Sequence, residues 1–299
     1  MKNRNLLVCL ILSLPPLLWA GNFIVGRAAN SSIPPLTLAL SRHIVALLFL
    51  LPFGWSIMYH DLPKYWKYRW KILQTSLSGM VFFNVLVYIA LHSTTASNAQ
   101  LLNSTIPALI VLISAIVFRK RLALFQVLGL IISCLGVLTI ILQGDITYLF
   151  SLKFSYGDLI IFVSMVSFSF FSVWLREFPE DLNRVGLLGI QFVIAVLILA
   201  PLAGAEWYFG AKLELNVTSY AAMLYVGVAA GLIANLLYMN GIAHVGPARA
   251  GLFIHLVPIY GAFMSNIFLG ENLHWYHALG ITGIISGLVL SQKGIQKHA

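Results

Sequence analysis

One apolar run after another fills almost the whole chain. Each is about 20 residues long, the length a helix needs to cross roughly 30 Å of hydrocarbon. None alternates with period two, as the strand of a membrane barrel would. The pattern predicts an all-α integral membrane protein. Composition agrees: 60% of the residues are hydrophobic, 9% are charged and the mean hydropathy is +0.92, whereas about a quarter of a soluble domain is charged. The net charge of +9 would suit a nucleic-acid binder. The basic residues instead lie in the short segments between runs, where membrane topology accounts for them.

The runs predict spans at Leu6 to Arg27, Pro35 to Trp55, Ile72 to His92, Ala99 to Phe118 and Leu124 to Leu142. They continue at Gly157 to Leu175, Val185 to Ala203, Tyr220 to Ala243, Arg249 to Leu269 and Tyr276 to Ser291. A leader cleaved near Ala20 is the competing reading of the first run. It is disfavoured because the run continues through Asn22 to Gly26 without a small-polar stretch. Pro15 and Pro16 should kink that first helix.

A fixed offset then links the two halves. Ala99, Pro107, Ser114, Gly129 and Gly136 recur as Ala250, Pro258, Ser265, Gly280 and Gly287, each 151 positions on (258 − 107), and Asn84 pairs with Asn235 in the same way. The chain therefore divides into two five-helix repeats, 1–150 and 151–299. An odd number of spans per half inserts the second half upside down, so ten transmembrane helices in two inverted repeats are expected.

Charge places the ends. With the N-terminus cytoplasmic, Lys2, Arg4, Lys64, Lys67, Arg69, Lys71, Arg119, Lys120, Arg121, Arg176, Arg184, Arg249, Lys293 and Lys297 share that side. Only Arg27, Arg42, Lys153 and Lys212 fall towards the other. Both termini are then cytoplasmic. Cys9 and Cys134 lie in apolar runs without a CxxC or Cys/His cluster, so neither a disulfide framework nor a metal site is indicated.

Few polar residues fall inside the spans. Asp158 and Glu271 stand at helix ends, and no carboxylate lies deep, which weakens a proton-antiport mechanism. His255, beside Pro258, and His43 are the remaining titratable groups: a proton carrier, or a neutral ring bonded to a freed carbonyl. Arg42, about two turns after Pro35, is either an anchor for an anionic substrate group or a tie to a backbone carbonyl. Arg27, nearer its helix end, reads as interfacial. Asn84 and Asn235 either read the polar end of a small molecule or bond a neighbouring helix. Tyr88 and Tyr238 share their faces, and Trp19 and Asn22 on the first helix are similar candidates. Trp55 and Trp174, close to span ends, suit an aromatic belt.

Pro107 and Pro258 stand near the middles of matched spans and free the carbonyls of Asn103 and Ile254. Paired interruptions of this kind point to a transporter's central site. Ser104, His255, Asn103 and Gln100 lie close by, and with Asn84 and Asn235 they are expected to line one cavity. The alternative is that the prolines only shape packing. Gly129, Gly136, Gly280 and Gly287 form small-residue faces that let helices approach.

The stretches LLWAGNFIVGR, PPLTLALSRHIVALLFLLPF, YIALHSTTASNAQLLNSTIPALIVLISAIVFRKRL and VPIYGAFMSNIFLGENL resemble the EamA family of the drug/metabolite transporter superfamily. The likeness covers both halves. It implies a ten-helix inverted-repeat carrier of the bacterial inner membrane, many such carriers exporting amino acids or other metabolites. Arg42 matches the family's arginine. Where the family often has Glu after the fourth helix this chain has Lys120, while the second copy keeps Glu271.

The expected function is a secondary transporter, in the export direction, of small organic metabolites. Its partners would be a small-molecule substrate and the bilayer, with no nucleic acid and no cofactor, and the chain would be a monomer or weak homodimer. The competing reading is a membrane-embedded enzyme acting on lipid-linked substrates. It would need paired acids, a nucleophile with its base, or a metal cluster, and the sequence offers no such constellation.

Overall fold

The computed structural model describes residues 2–119, 123–142, 144, 145, 147, 155–269 and 274–293. Regular structure there is helical throughout. In hydrocarbon every backbone group must find its partner inside the segment, which a helix provides. The first half runs α1 (Lys2–Ala29), α2 (Pro35–His60), the short α3 (Leu62–Lys67), α4 (Arg69–Thr75), a π-helical segment (Ser76–Phe82) and α5 (Phe83–Ala90). It ends with α6 (Ala96–Asn103), α7 (Ile106–Phe118) and α8 (Leu124–Ile141). The second half runs α9 (Tyr156–Leu175), α10 (Arg184–Tyr208), α11 (Val217–Leu224), a second π segment (Tyr225–Ile233) and α12 (Ala234–Val245). Then come α13 (Pro247–Leu252), a 3₁₀ turn (Phe253–His255), α14 (Leu256–Leu269) and α15 (Trp275–Lys293).

Among the described residues, six helical stretches are long and apolar enough to cross a membrane: Leu10–Ala29, Pro35–His60, Arg69–Ala90, Tyr156–Leu175, Arg184–Tyr208 and Val217–Val245. Apolar but shorter helices lie at Ile106–Val117, Leu124–Ile140 and Trp275–Ser291. The chain is a multi-pass membrane protein. Its outward faces are apolar, with Leu48, Leu112, Leu135 and Leu197 exposed, as a bilayer solvent requires.

The structure departs from the run-length reading in several places, α10 among them, which continues past Ala203 to Tyr208 with Pro201 inside it. α2 continues past Trp55 to His60 because Pro52, inside it, does not end it. Apolar periodicity does not distinguish π from α turns, so the π segments within the third and eighth runs carry no signal of their own. The runs containing Pro107 and Pro258 are interrupted, at Ser104–Thr105 and at Phe253–His255, each just ahead of its proline. α1, by contrast, runs as one helix through Pro15 and Pro16.

Two packing systems result. α8 and α15 lie along each other, and their glycines make that approach: a Cβ on Gly129 would meet the Gly287 carbonyl, and one on Gly136 the Gly280 carbonyl. Larger residues there would push the backbones apart. The remaining helices enclose the main core, with α2 against α10, α9 against α5, and α1 against α12 and α14.

Candidate functional site

The two π segments lie beside the site. In a π turn each N–H reaches five residues back instead of four, so carbonyls fall out of step where it rejoins the α-helix. The segments end at Phe82 and Ile233, 151 apart (233 − 82), and in each half an asparagine two residues further on closes the gap. The Asn84 amide donates to the carbonyls of Gly79 (3.1 Å) and Met80 (2.8 Å). The Asn235 amide donates to those of Ala230 (3.3 Å) and Gly231 (2.7 Å). Both side chains are buried and serve their own helices.

The carbonyl of Ala230 does more than accept from Asn235. It takes the indole N–H of Trp19 at 3.3 Å and Nη2 of Arg42 at 2.9 Å. Arg42 Nη1 donates to Asn22 Oδ1 at 2.8 Å and to the Tyr88 hydroxyl at 3.1 Å, and that hydroxyl donates to Asn22 Oδ1 at 3.1 Å. Arg42 is 3% exposed. Among the described residues no carboxylate lies within ion-pairing distance of it. A guanidinium held only by neutral acceptors leaves a net positive charge in the core of the bundle.

That charge faces a small cavity. Trp19, Asn22, Phe23, Arg42, Phe83, Asn103, Ile106, Phe168 and Ile254 line about 10 Å³, room for about one water. The aromatic wall is braced from behind: Trp19 packs edge-on to Phe168 at 5.5 Å and to Tyr238 at 5.1 Å, and Phe168 stacks on Tyr238 at 5.6 Å. The Tyr238 hydroxyl shares a 3.0 Å hydrogen bond with Ser172. A larger groove of about 550 Å³, edged by Ile132 and Thr282, lies on the outward face of the α8–α15 pair, away from these polar groups.

The interrupted helices meet at the cavity. Asn103 ends α6 and Ile106 begins α7, and both line it. The Nδ2 of Asn103 is buried without a hydrogen-bond partner. Beside them His255 ties the two breaks together. Its Nε2 lies 3.1 Å from the Ser104 carbonyl, which only accepts, so Nε2 carries the proton and Nδ1, 2.5 Å from Ser133 Oγ, accepts. Ser104 Oγ donates to the Gln100 carbonyl at 3.1 Å, and the Gln100 side chain rests against Gly261.

The structure thus divides the sequence candidates. Trp19, Asn22, Arg42 and Asn103 share the cavity, Tyr88 braces them, and Tyr238 backs the aromatic wall. Asn84, Asn235, Gln100, Ser104 and His255, expected to line it, do not. Their polar groups are taken by nearby backbone carbonyls and the Ser133 hydroxyl, or pack against α14. Pro107 stands in the first turn of α7, and Pro258 lies within α14. His43, also buried, faces its own helix, with Nδ1 2.6 Å from the Ala39 carbonyl.

Both ends of the bundle carry further ties. At one, Glu206 takes the N–H groups of Leu36 (3.0 Å) and Thr37 (2.9 Å), capping α2 from another helix, while Arg27 and Asn30 donate to the Leu91 carbonyl. Asp158 is buried but accepts from Thr94 and from Ser155, in a capping box on α9. At the other, Lys71 pairs with Glu177 at 2.7 Å, and the buried Tyr65 hydroxyl donates to the Asn183 carbonyl at 3.1 Å. Burial pushes the Tyr65 phenol up to about 12. Among the described residues no cluster of three His, Cys, Asp or Glu is placed to hold a metal.

The model of the EamA-like transporter family matches this sequence twice, over residues 6–142 and 155–292. The chain belongs to the EamA-like transporter family. Among its relatives, an uncharacterized transporter of Archaeoglobus fulgidus is 25% identical over 94% of this chain and 96% of its own length. The uncharacterized transporter YyaM of Bacillus subtilis is 27% identical over 73% and 70%. The uncharacterized inner membrane transporter YedA of Escherichia coli K12 is 23% identical over 93% and 88%. A crystal structure superposes with a TM-score of 0.76 over 98% of both chains at 16% identity, a likeness of fold.

Within this EamA-like fold, Lys120 and Glu271 lie outside the described residues. Sequence reasoning missed the Ala230 carbonyl and the rings of Phe23, Phe83 and Phe168. The carbonyl carries no side-chain signal, and aromatic residues in an apolar run look like any other core. Spacing offered one clue, since Phe168 lies on the helix face of Ser172 and Ser164.

Proposed function

We propose that this EamA-like protein is a secondary transporter that exports small organic metabolites, the class that includes amino acids, across a bacterial inner membrane. It works by alternating access about the Arg42 cavity. Ten spans in two inverted five-helix repeats, 1–150 and 151–299, with both termini cytoplasmic, provide the two arrangements. The observation that carries this reading is the buried Arg42 cluster beside two interrupted helices, since broken helices with free polar groups belong to substrate sites within membranes. The closed cavity admits about one water, so substrate enters only when the halves rock apart. The chain would act as a monomer or weak homodimer, with substrate and lipid as its partners.

Purified protein in liposomes, offered a panel of amino acids and organic acids with and without a pH gradient, is the test. Flux of one class that saturates supports the carrier. No flux of any member, with product formed from lipid-linked substrates, supports a membrane enzyme instead. Reporters fused after Lys71, Arg121 and Lys297 should read cytoplasmic and those after Gln143 and Ala211 external. An external signal at Arg121 overturns the inverted repeat.

A further inference from the structure

We infer that the Arg42 cavity takes the carboxylate of a compact organic acid with an apolar body, in preference to a neutral or zwitterionic molecule. The inference rests on the carrier reading above and narrows it. Three features of the cavity point the same way. Arg42 brings a positive charge that no described carboxylate neutralises, and its three hydrogen bonds go to neutral oxygens. Asn103 is 4% exposed, and its Nδ2 finds no acceptor although the residue lines the cavity. A buried amide N–H without a partner costs about 1–3 kcal/mol, which an incoming oxygen would recover.

The third feature is independent of both side chains. α7, thirteen residues long, starts at Ile106 on the cavity wall without a side-chain cap on its first N–H groups. Pro107 has no N–H and the Leu109 N–H is taken by the Thr105 carbonyl, so Ile106 and Ala108 carry the N–H groups that, with the helix dipole, favour negative charge there. A charged fork, a free amide and a helix start around one cavity form a set of donors. A carboxylate supplies acceptors and the missing charge together. Asn22 is the other polar side chain of the lining, its Oδ1 already taken by Arg42 and Tyr88; Phe23, Phe83, Phe168 and Ile254 are apolar and suit a hydrocarbon or aromatic body once the cavity opens. An ammonium group would find no described carboxylate there, so an α-amino acid is the poorer fit.

Titration of the purified full chain followed by liposome uptake tests this with matched molecules. The probes are isovalerate against isovaleramide and against valine, and phenylacetate against phenylacetamide. Chloride and inorganic phosphate serve as anions without an apolar body. The expected result is that each carboxylate binds about 10- to 150-fold more tightly than its amide, the range of a charge-assisted hydrogen bond. That margin should collapse in Arg42→Gln and in Asn103→Asp, which sets a like charge in the cavity, and survive largely in Arg42→Lys. Because Asn103→Asp keeps shape and volume, a melting temperature and helical circular dichroism in detergent that match the parent's separate lost charge recognition from misfolding.

Amides that bind as well as acids overturn the anion site, as does acid transport that neither variant alters. Either leaves the carrier standing. Valine binding as tightly as isovalerate overturns the preference against an ammonium group, and chloride competing as well as isovalerate makes the site one for inorganic anions. If no probe is bound or moved while the carrier panel shows flux of neutral or cationic metabolites, only this inference fails. If that panel also shows none, the carrier reading fails with it.

Discussion

The two helix interruptions share a position in the repeat and differ in everything they present. Asn103 and Ile254, 151 residues apart (254 − 103), line the same cavity from opposite halves, one with a free amide and the other with a hydrocarbon chain. Their neighbours Ser104 and His255 hold the same relation, and here the second half reaches across to bond the first, imidazole to carbonyl. The π segments behave otherwise. They end at equivalent positions and are closed by equivalent asparagines on equivalent carbonyls. Duplication kept the skeleton alike, and the cavity's chemistry comes from where the halves diverged. Donors gather on the first-half side, where Arg42, Asn22, Tyr88 and Asn103 stand, and the second half contributes apolar surface and one carbonyl.

Removing the strongest donor breaks this asymmetry most severely. Arg42→Leu should reduce transport, at matched membrane abundance, by about 10- to 150-fold, because hydrogen bonds to a charged group are worth about 1.5–3 kcal/mol. Arg42→Lys should recover part of it, since the charge remains while the planar fork that spans Asn22 and the Ala230 carbonyl is lost. Normal uptake by Arg42→Leu would reduce the arginine to a structural tie.

The equivalent asparagines offer a sharper comparison. Asn84→Leu and Asn235→Leu each strip a buried carbonyl pair of its donor, at about 1–3 kcal/mol in stability, so both should lower the melting temperature in detergent alike. Their effects on transport should differ. The Ala230 carbonyl serves both Asn235 and Arg42, whereas none of the hydrogen bonds of Gly79 and Met80 reaches the guanidinium. Uptake normalised to folded protein should therefore fall further in Asn235→Leu. Equal losses would mean that the π segments act alike on the site and that the Ala230 carbonyl has no special place.

Much of the framework was legible. Run length located the helical stretches, of which six among the described residues are long and apolar enough to span, and the matched prolines marked the two breaks, because a missing N–H in hydrocarbon has few structural outcomes. The 151-residue offset paired the asparagines correctly, yet their roles were hidden. Whether a buried amide turns to a ligand or to its own helix depends on whether a π turn has freed a carbonyl within reach, and side-chain pattern does not encode that. Arg42 stood out as a charge in an apolar run. Its partner at Ala230 was invisible, being backbone.

His255 tests whether the tie across the breaks does more than hold. With Nε2 donating to the Ser104 carbonyl and Nδ1 accepting from Ser133, the neutral ring is fully used. His255→Gln, which can keep one of the two bonds, should cost about 1 kcal/mol in stability and leave the response of flux to a pH gradient as weak as before. A strong proton dependence in the parent that disappears in His255→Gln would make the histidine a carrier and not a tie.

The smallest effect is expected where the halves meet outside the spans, at Tyr65 of α3 and Asn183 ahead of α10. Losing that hydrogen bond in Tyr65→Phe should cost about 0.5–1.5 kcal/mol and leave transport unchanged, because nothing at this end touches the cavity. Its signature lies in pH. Burial pushes the phenol up to about 12 from about 10 in an unfolded chain, so the fold binds this proton more tightly than the unfolded state does. The resulting stability is fully present below about pH 10 and is lost as pH rises through about 12. Melting temperature in detergent should therefore decline across that window more steeply for the parent than for Tyr65→Phe. Parallel declines would show that the hydroxyl is already solvated, and that the halves are held at this end by the Lys71–Glu177 pair and apolar contact instead.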